Sequence, residues 1–277
     1  MTVQQKYHNL QKTLKSLGKV IIAYSGGVDS TFLLKAAIDT LGVENVLACI
    51  AIGPSLPHSQ YTQAVKLAKD MGAKLQTFEP NEMADKTYLA NNADRCFHCK
   101  SHLLKTLTGL AKEKNVNHVL CGTNFDDLDD FRPGNRATKK FSVKCPLADA
   151  ELTKADIRHL SRTLNLSTAD MPASPCLASR ISYGLEITDQ RLKQAELAEE
   201  FLKGLGFVEF RVRHHGILAR IEVGQQDIEK ISAEPMRTRI AEKLKSLGFK
   251  FVTLDLTPFR SGSLNDMLTK EQKQKSL

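Results

Sequence analysis

The stretch Tyr24-Ser25-Gly26-Gly27-Val28-Asp29-Ser30 predicts both the fold of the N-terminal half and the kind of ligand that it binds. The apolar segment 19–23 precedes it and is typical of a buried strand, and the segment 31–37 after it is typical of a helix start. A tight loop between a strand and a helix N-terminus binds phosphate, because backbone N–H groups and the helix dipole attract negative charge. A simple glycine turn is the alternative, but the order of strand, glycines, acid and hydroxyls favours a phosphate site.

Side chains of this loop contribute to the predicted anion site. Gly26 and Gly27 let the backbone close around phosphate oxygens, and Ser25 and Ser30 supply hydroxyl donors. Asp29 is badly placed for a phosphate unless a metal ion such as Mg²⁺ joins them. The lysine and the longer spacing of a Walker A sequence are missing, so the loop differs from that of the P-loop NTPases.

The composition is ordinary for a soluble enzyme with an anionic partner. The 277 residues, 42% of them hydrophobic, can form two domains with a real core. A formal net charge of +8 favours a nucleotide, an RNA or a phosphorylated metabolite without choosing among them. The sequence has no apolar run that could span a bilayer and no signal-peptide core, so we expect a cytoplasmic location and no membrane association.

Strand-like and helix-like segments alternate through the N-terminal half. Buried strands are predicted at 19–23, 46–51, 74–78 and 118–121, and helices at about 5–17, 31–42 and 58–71. This alternation predicts βαβ units, hence an α/β fold with a parallel sheet covered on both faces. Ligands of such sheets bind at the carboxyl ends of the strands, where the glycine loop lies.

A domain boundary is predicted in the second half of the chain. Residues 171–184 contain two prolines and show no periodicity, which is typical of a loop between domains. We therefore predict a first domain at 1–172, an interdomain loop with Cys176 at 173–185, and a smaller C-terminal domain at 186–277.

The C-terminal domain is predicted to be α+β, with a weak repeat of a helix followed by a strand. Its predicted strands are 210–214, 218–223 and 251–255. The first two pair through a turn at His215-Gly216, and period-two alternation places Arg211 and Arg213 outward. This face could hold a substrate phosphate, although cross-strand ion pairs on a solvated face fit the spacing equally well.

An acidic segment follows the strand predicted at 118–121. Four aspartates lie within 126–130, and turn residues flank them. A solvated acidic loop is one interpretation. Because the segment follows a strand end, we favour a second active-site loop, with carboxylates near Mg²⁺ and Arg132 near phosphate. The sequence does not decide which aspartate reaches the metal.

The six cysteines argue against a disulfide framework in a cytosolic chain of this length. Cys49 and Cys121 lie in apolar strands and are predicted to be small hydrophobes, and Cys145 has no visible partner. Cys96-Phe97-His98-Cys99 is a C-x-x-C pair in a polar stretch just before a predicted helix. Two thiolates at this spacing can share a metal or cluster, although a redox pair or half of a zinc site has the same spacing. Cys176 is the candidate third ligand.

Two stretches carry a resemblance to known families. Ser25 to Ser30 resembles the PP-loop of the adenine nucleotide alpha hydrolase-like ATP pyrophosphatases, which implies cleavage of ATP to AMP and pyrophosphate. With Ser174-Pro175-Cys176-Leu177-Ala178-Ser179-Arg180-Ile181-Ser182-Tyr183-Gly184 as well, the chain resembles the LarE family of ATP-dependent sulfur transferases. That family makes the nickel-pincer cofactor of lactate racemase. The likeness covers nearly the whole chain, including 130–134, 211–213 and 259–262.

The resemblance implies a reaction and its cofactors. ATP adenylates the carboxylates of pyridinium-3,5-biscarboxylic acid mononucleotide, and sulfur displaces AMP to leave thiocarboxylates. One branch of the family sacrifices the sulfur of a single cysteine at the Cys176 position. Another holds a [4Fe–4S] cluster on three cysteines, and its free iron carries sulfur from sulfide or another donor. Because Cys96, Cys99 and Cys176 are all present, the resemblance implies the cluster branch. Family members tend to form hexamers, so we expect a homo-oligomer.

The resemblance also assigns roles to individual residues. It places the ATP phosphates, and Mg²⁺ through the aspartate, on Ser25, Gly26, Gly27, Asp29 and Ser30. Further nucleotide-site residues are expected to be Gly122, Thr123, Asp126, Arg132 and Arg180. Arg211 and Arg213 match the family positions near the substrate phosphate.

Other classes remain open. A tRNA thiolase of the PP-loop superfamily can also use three cysteines, and the positive charge suits RNA. We do not expect a nucleic-acid partner, because the chain has no zinc-ribbon pairs and no basic stretch interleaved with aromatics. An amide-forming PP-loop ligase, such as an NAD or GMP synthetase, would need no cysteine constellation. A cluster-binding or nucleotide-sensing module without turnover is the non-catalytic alternative.

Overall fold

A computed structural model describes residues 1–128, 131–172 and 175–276, which form two compact units. The first unit comprises Met1–Ala84, Cys96–Ser174 and Ser276–Leu277, and the second comprises Asp85–Arg95 and Pro175–Lys275. The chain passes between units at 174/175, inside the predicted interdomain loop 173–185. Asp129, Asp130 and Ser174, which belong to the predicted motifs, lie outside the described residues.

The described residues contain helices and strands that alternate through the first unit. The helices are α1 (Val3–Leu17), α2 (Val28–Leu41), α3 (His58–Asp70), α4 (Lys86–Leu89), α5 (Arg95–Glu113), α6 (Gly134–Lys140), α7 (Pro146–Asp149), α8 (Lys154–Thr163), α9 (Asp189–Gly204), α10 (Ile228–Ser232), α11 (Met236–Ser246) and α12 (Lys270–Ser276). The strands are β1 (Val20–Ala23), β2 (Val46–Ala51), β3 (Lys74–Phe78), β4 (His118–Cys121), β5 (Phe210–His215), β6 (Leu218–Val223) and β7 (Phe251–Leu254). None of the helices described is long and apolar enough to cross a membrane.

The sheet of the first unit has the order β3-β2-β1-β4, and its neighbouring strands are parallel, as predicted. Val20 and Ile22 point into the core that contains the buried residues of α1, α2 and α8. Ile21 points into the opposite core, together with Leu104 of α5 and Val119 of β4. Because successive residues of β1 are buried on opposite faces, the sheet is covered on both sides and needs a continuous apolar strand.

Local sequence signals fix several helix ends. At the start of α1, Thr2 and Gln5 form a capping box, and Gly18 ends the helix with a φ of 67°. The box predicted at Thr153 and Asp156 is also present and begins α8. That helix start matters for the site, because the first residue of α8 reaches the glycine loop.

The second unit contains a smaller mixed sheet of order β5-β6-β7. β5 and β6 are antiparallel, with Arg213 opposite Arg220, and they join at Gly216, whose φ of 71° suits the predicted turn. β7 lies parallel to β6, with Thr253 opposite Arg220. One face of this sheet packs on the apolar residues of α9 and α11.

Candidate functional site

The loop between β1 and α2 is closed by its own two serines. The hydroxyl of Ser30 accepts a hydrogen bond from the backbone N–H of Ser25 at 3.2 Å and donates to the carbonyl of Gly27 at 3.2 Å. The Oγ of Ser25 lies 3.1 Å from that of Ser30 and accepts from the N–H of Gly27 at 3.4 Å. These bonds hold the loop in a defined shape at the N-terminus of α2, which favours anion binding there.

Two glycines are required at this site, because neighbouring atoms lie so close to their backbone that a Cβ would not fit. Gly26 has a φ of 74°, and a Cβ on it would lie 2.5 Å from the Cβ of Ala64 in α3. Gly122, which follows β4, would place a Cβ 2.9 Å from the backbone nitrogen of Ser30. The loop therefore lies between the ends of β1 and β4. The strand order reverses at this position, since β2 lies on the other side of β1.

Asp29 is paired with a lysine that the sequence analysis did not select. The Nζ of Lys154 lies 2.6 Å from the Oδ2 of Asp29, and the Nδ2 of Asn124 donates to its Oδ1 at 3.4 Å. The side chains of Lys154 and Asp29 are 36% and 22% exposed, so solvent reaches both. An ammonium group thus stands beside the predicted phosphate loop, although the loop sequence itself has no lysine.

Asp126 and Asp127, the two described aspartates of the acidic segment, support the structure around the loop. The Oδ2 of Asp126 accepts a hydrogen bond from the backbone N–H of Lys154 at 2.8 Å, at the start of α8. Asp127 is buried, accepts from the backbone N–H of Asn124, and pairs with Arg132 at 2.8 Å. Burial raises the pKa of Asp127, and the guanidinium of Arg132 opposes that rise. Arg132 thus contacts Asp127 of the acidic segment, and its contact with a phosphate stays a prediction.

Two cysteines beside the loop form a pair that the sequence did not reveal. The Sγ of Cys121 lies 3.2 Å from the Sγ of Cys145 and 3.3 Å from the Oγ1 of Thr123. Cys121 is buried among apolar residues, as predicted. The partner of Cys145 was not visible in the sequence, because it comes from a strand 24 residues earlier in the chain.

The C-x-x-C pair lies within α5 and not in a polar stretch before it. The helix begins at Arg95, because no proline or glycine separates Cys96 from the apolar residues of α5 at 103–107. Cys96 is exposed and Cys99 is half-buried. Residues three positions apart lie on one side of a helix, so the two thiols are neighbours in its first turn.

In the second unit, Arg180 organises the segment that carries Cys176. Its Nη1 donates to the carbonyls of Pro175 at 2.5 Å and of Cys176 at 3.1 Å. Its Nε and Nη2 donate to the two carboxylate oxygens of Glu199, at 2.9 Å and 2.8 Å. The guanidinium is almost fully buried, and these bonds fix the backbone at Cys176.

Arg211 and Arg213 lie on the face of β5 opposite the apolar core, as alternation predicted, but Arg213 is covered rather than solvated. Arg213 is 4% exposed, donates from both Nε and Nη2 to the Oε2 of Glu222, and also donates to Ser263. Arg211 is half-buried with its guanidinium 5.0 Å from the ring centroid of Phe259. Burial, with Arg180 adding to it, lowers the pKa of Arg211 to about 10. A charged face can be covered here because the carboxylates neutralise the guanidinium groups that they contact.

The described residues do not gather a metal-binding set. Within 1–128, 131–172 and 175–276, no group of three or more His, Cys, Asp or Glu side chains is placed to hold a metal ion. All six cysteines are described, and none of them forms a disulfide. The three predicted cluster ligands divide between the units, with Cys96 and Cys99 in the first and Cys176 in the second.

The parallel sheet and the glycine loop at its switch point define the first unit as a PP-loop nucleotide-binding domain. The NAD synthase family matches residues 2–105, which include the loop and the first three strands. An uncharacterised protein of Synechocystis is 40% identical over 268 residues, covering 97% of this chain and all of that protein. An uncharacterised protein of Methanocaldococcus jannaschii is 34% identical over 258 residues, covering 92% of this chain and 95% of that protein.

One relative with a named activity matches along nearly its full length. The pyridinium-3,5-bisthiocarboxylic acid mononucleotide synthase of Lactiplantibacillus plantarum is 36% identical over 271 residues, which are 98% of each chain. The chain belongs to the LarE family of PP-loop proteins.

Proposed function

We propose that this protein is an ATP-dependent sulfur transferase that converts the carboxylates of pyridinium-3,5-biscarboxylic acid mononucleotide into thiocarboxylates. The observation that carries the proposal is the pre-shaped loop from Ser25 to Ser30 in a chain that shares 36% identity with a synthase of that product. The product is used in nickel-pincer cofactor biosynthesis, as the family resemblance implies.

The loop supports the activation half of the reaction. A carboxylate oxygen of the substrate attacks the α-phosphorus of ATP, and pyrophosphate leaves with the electrons of the broken P–O bond. The N–H groups at the start of α2 and the hydroxyls of Ser25 and Ser30 would stabilise the negative charge on the phosphates. Mg²⁺ supplied with ATP would screen further charge, and Asp29 is the carboxylate of the loop that would contact it.

Lys154 lies beside the same loop, where its positive charge would stabilise the departing pyrophosphate. Its ammonium group is 2.6 Å from Asp29 and therefore lies beside the phosphates that the loop would bind. When Mg²⁺–ATP occupies the loop, Lys154 would exchange Asp29 for a phosphate oxygen, and the carboxylate would become available to the metal. In this chain, a lysine of α8 would thus supply the positive charge that a lysine of the loop supplies in a Walker A site.

The second half of the reaction replaces AMP by sulfur. A sulfur nucleophile attacks the acyl carbon of the adenylate, and AMP leaves with the former carboxylate oxygen, so that a thiocarboxylate remains. Cys176 is the residue that we propose beside the acyl adenylate at this step, because Arg180 and Ser179 fix its carbonyl with bonds of 3.1 Å and 2.7 Å. Attack by the sulfur of Cys176 itself would give a thioester, and loss of the Cys176 α-proton would then break its Cβ–S bond to release the thiocarboxylate and leave dehydroalanine. A fixed backbone limits the positions that the Cys176 sulfur can take.

The source of the sulfur is a separate part of the proposal. We propose that Cys96, Cys99 and Cys176 hold a [4Fe–4S] cluster, as the family resemblance implies. The exposed Cys96 and the half-buried Cys99 fit two ligand positions on one helix turn, but the described residues gather no third ligand. The hexamer is likewise a proposal from family resemblance.

Substrate-dependent product analysis tests the proposal. The protein is incubated without oxygen with ATP, Mg²⁺ and the biscarboxylic mononucleotide, and thiocarboxylate and AMP are measured by mass spectrometry. We expect both products from the unaltered protein, and AMP without thiocarboxylate from Cys176→Ala. AMP without thiocarboxylate from the unaltered protein, despite a supplied sulfur donor, would contradict sulfur transfer.

Reconstitution with iron and sulfide tests the cluster separately. We expect a brown protein with an absorbance band that Cys96→Ala abolishes, and product in excess of enzyme. A colourless protein whose Cys176 loses the mass of hydrogen sulfide after one turnover would instead support sacrificial transfer from that residue.

The NAD synthase match favours one second candidate, an amide-forming ligase. That activity shares adenylation but uses ammonia in place of sulfur, so it needs none of the three cysteines. Activity with ammonia that survives replacement of Cys96, Cys99 and Cys176 together would favour it. Loss of product in the triple variant, with AMP formation unchanged, would exclude it.

A further inference from the structure

Cys121 and Cys145 are held side by side by backbone pairing. The segment after α6 runs parallel to β4, with a bridge between Leu120 and Lys144. The N–H of Lys144 donates to Val119 and the N–H of Cys121 donates to Lys144, each at 3.0 Å. Each cysteine follows a member of the bridged pair, so both side chains leave the same face of adjacent chains. Neighbouring chains of a sheet are about 4.8 Å apart, which lies within the Cα separation that a disulfide spans.

The two sulfurs are already in contact. Their separation of 3.2 Å is only about 1.1 Å longer than a disulfide bond. Cys121 is 4% exposed, whereas Cys145 is half-buried, so an oxidant would reach Cys145 first. The hydrogen bond from Cys145 lowers the pKa of Cys121, and the nearby Lys100 ammonium also favours that thiolate. The same pairing raises the pKa of Cys145.

The pair is also joined directly to the phosphate loop. Gly122 follows Cys121 and has no space for a Cβ, because the backbone of Ser30 and Asp29 lies against it. The Oγ1 of Thr123 contacts the sulfur of Cys121 at 3.3 Å. A shift of Cys121 toward Cys145 would therefore be transmitted to the backbone that shapes the loop.

We propose that Cys121 and Cys145 form a reversible redox site, in which a low-molecular-weight disulfide links them and the link weakens nucleotide binding at the adjacent loop. The proton of the Cys145 thiol passes to Cys121 across their 3.2 Å contact, and the Cys145 thiolate then attacks one sulfur of the small disulfide and releases the first thiolate, which takes up that proton. The Cys121 thiolate then attacks the mixed disulfide at Cys145 and releases the second. Two protein thiols are oxidised, one disulfide reagent is reduced to two thiols, and no other reactant is needed. A protein disulfide formed in the cytosol is commonly of this transient, sensing kind.

The chemical half of the proposal is tested by peptide mapping. The full chain, with Cys96, Cys99 and Cys176 replaced by serine, is treated with oxidised glutathione, alkylated, digested and analysed by mass spectrometry. We expect a linked peptide that contains Cys121 and Cys145 and that dithiothreitol releases. Cys49 is the control thiol, because burial raises its pKa to about 12 and it should stay reduced. Absence of the linked peptide, or linkage to Cys49 in equal amount, would overturn the proposal.

The second half of the proposal, that the disulfide weakens nucleotide binding, is tested by measuring the affinity for Mg²⁺–ATP, and it rests on the proposed ATP site. Oxidation should raise the Kd for Mg²⁺–ATP about fivefold, as expected from weakening one hydrogen bond to a phosphate, and reduction should restore it. Cys145→Ser and Cys145→Ala should bind ATP normally and ignore the oxidant. A linked protein with unchanged affinity would refute the coupling. Failure of the reduced protein to bind ATP at all would instead refute the proposed function, so the two failures are distinguishable.

Discussion

Replacement of Lys154 by methionine tests whether the lysine on α8 serves the phosphate loop. The side chain keeps nearly its length and loses its charge, and the change leaves Asp29 with only the amide of Asn124 beside it. If Lys154 were merely a partner of Asp29, its loss would remove a half-exposed ion pair. Such pairs contribute about 0–1 kcal/mol, so the free energy of unfolding should change by no more than that.

The effect on nucleotide binding should be much larger. A hydrogen bond from a charged donor to a phosphate contributes about 1.5–3 kcal/mol, which corresponds to an increase in the ATP Kd of about 10- to 100-fold. The Kd for Mg²⁺–ATP is measured by isothermal titration calorimetry, and unfolding by urea is measured in parallel. Lys154→Arg keeps the charge and should recover most of the affinity.

Lys66→Met is the matched control. Lys66 pairs with Asp70 over the same 2.6 Å, on an exposed part of α3. It should leave both the stability and the ATP Kd unchanged. ATP binding by Lys154→Met at the level of this control would refute the assignment, and so would a stability loss of about 3 kcal/mol with unchanged affinity.

Three further predictions concern the loop and the second unit. Gly122→Ala should weaken ATP binding at least about tenfold, because its Cβ would meet the loop backbone at 2.9 Å. Its control is Gly109→Ala in α5, where a Cβ meets open space. That variant should bind ATP normally in the same titration, and its free energy of unfolding should rise by about 0.5–1 kcal/mol. Glu222→Gln should lower the free energy of unfolding in urea by about 3–5 kcal/mol, since it leaves the buried Arg213 without its carboxylate; a loss under 1 kcal/mol would contradict that role. Burial lowers the pKa of His214 to about 4 from 6.5. The free energy of unfolding that the neutral ring contributes is therefore complete above pH 6.5 and is lost as the pH falls toward 4. Between pH 7 and pH 5 the loss should be about 2 kcal/mol, and it should vanish in His214→Asn if the histidine is its source.

The hydrogen bonds of His214 explain why it resists protonation. Its Nε2 lies 3.0 Å from the amide oxygen of Gln194, and its Nδ1 accepts a hydrogen bond from the N–H of Gly216 at 3.2 Å. The neutral ring with a proton on Nε2 satisfies both partners. A second proton on Nδ1 would place two donors against each other in a buried position.

The sequence predicted the first sheet well because its signals are local. The segments 46–51, 74–78 and 118–121 are strands over those residues, since each is a short strand-like segment bounded by turn or helix-end residues. The loop at Ser25 to Ser30 was recognisable for the same reason, as its glycines and hydroxyls are consecutive. Elements of this kind depend on residues within one turn or one strand.

Partners that come from distant parts of the chain could not be predicted. Lys154 meets Asp29 across 125 positions, and Cys145 meets Cys121 across 24. Neither pairing leaves a pattern in a single sequence, because the fold alone brings the residues together. Lys154 had a local signal only for its place at a helix start.

Alternation placed the arginines of β5 on the correct face but could not predict that this face is covered, for a related reason. A charged residue at an alternating position is expected to face solvent, since burial of an unpaired charge is costly. Arg213 avoids that cost through Glu222 on the neighbouring strand and Ser263 far along the chain. The strand itself was predicted, but the cover over its charged face depends on tertiary structure.

The central claim is that ATP activates a carboxylate and that sulfur then displaces AMP. A single-turnover reaction with ¹⁸O-labelled biscarboxylic substrate, ATP and Mg²⁺, followed by mass spectrometry of AMP and of the pyridinium product, tests it most directly. We predict that ¹⁸O appears in the AMP phosphate and that one oxygen of the product is replaced by sulfur. Unlabelled AMP, or a product that keeps all its carboxylate oxygens, would contradict the account.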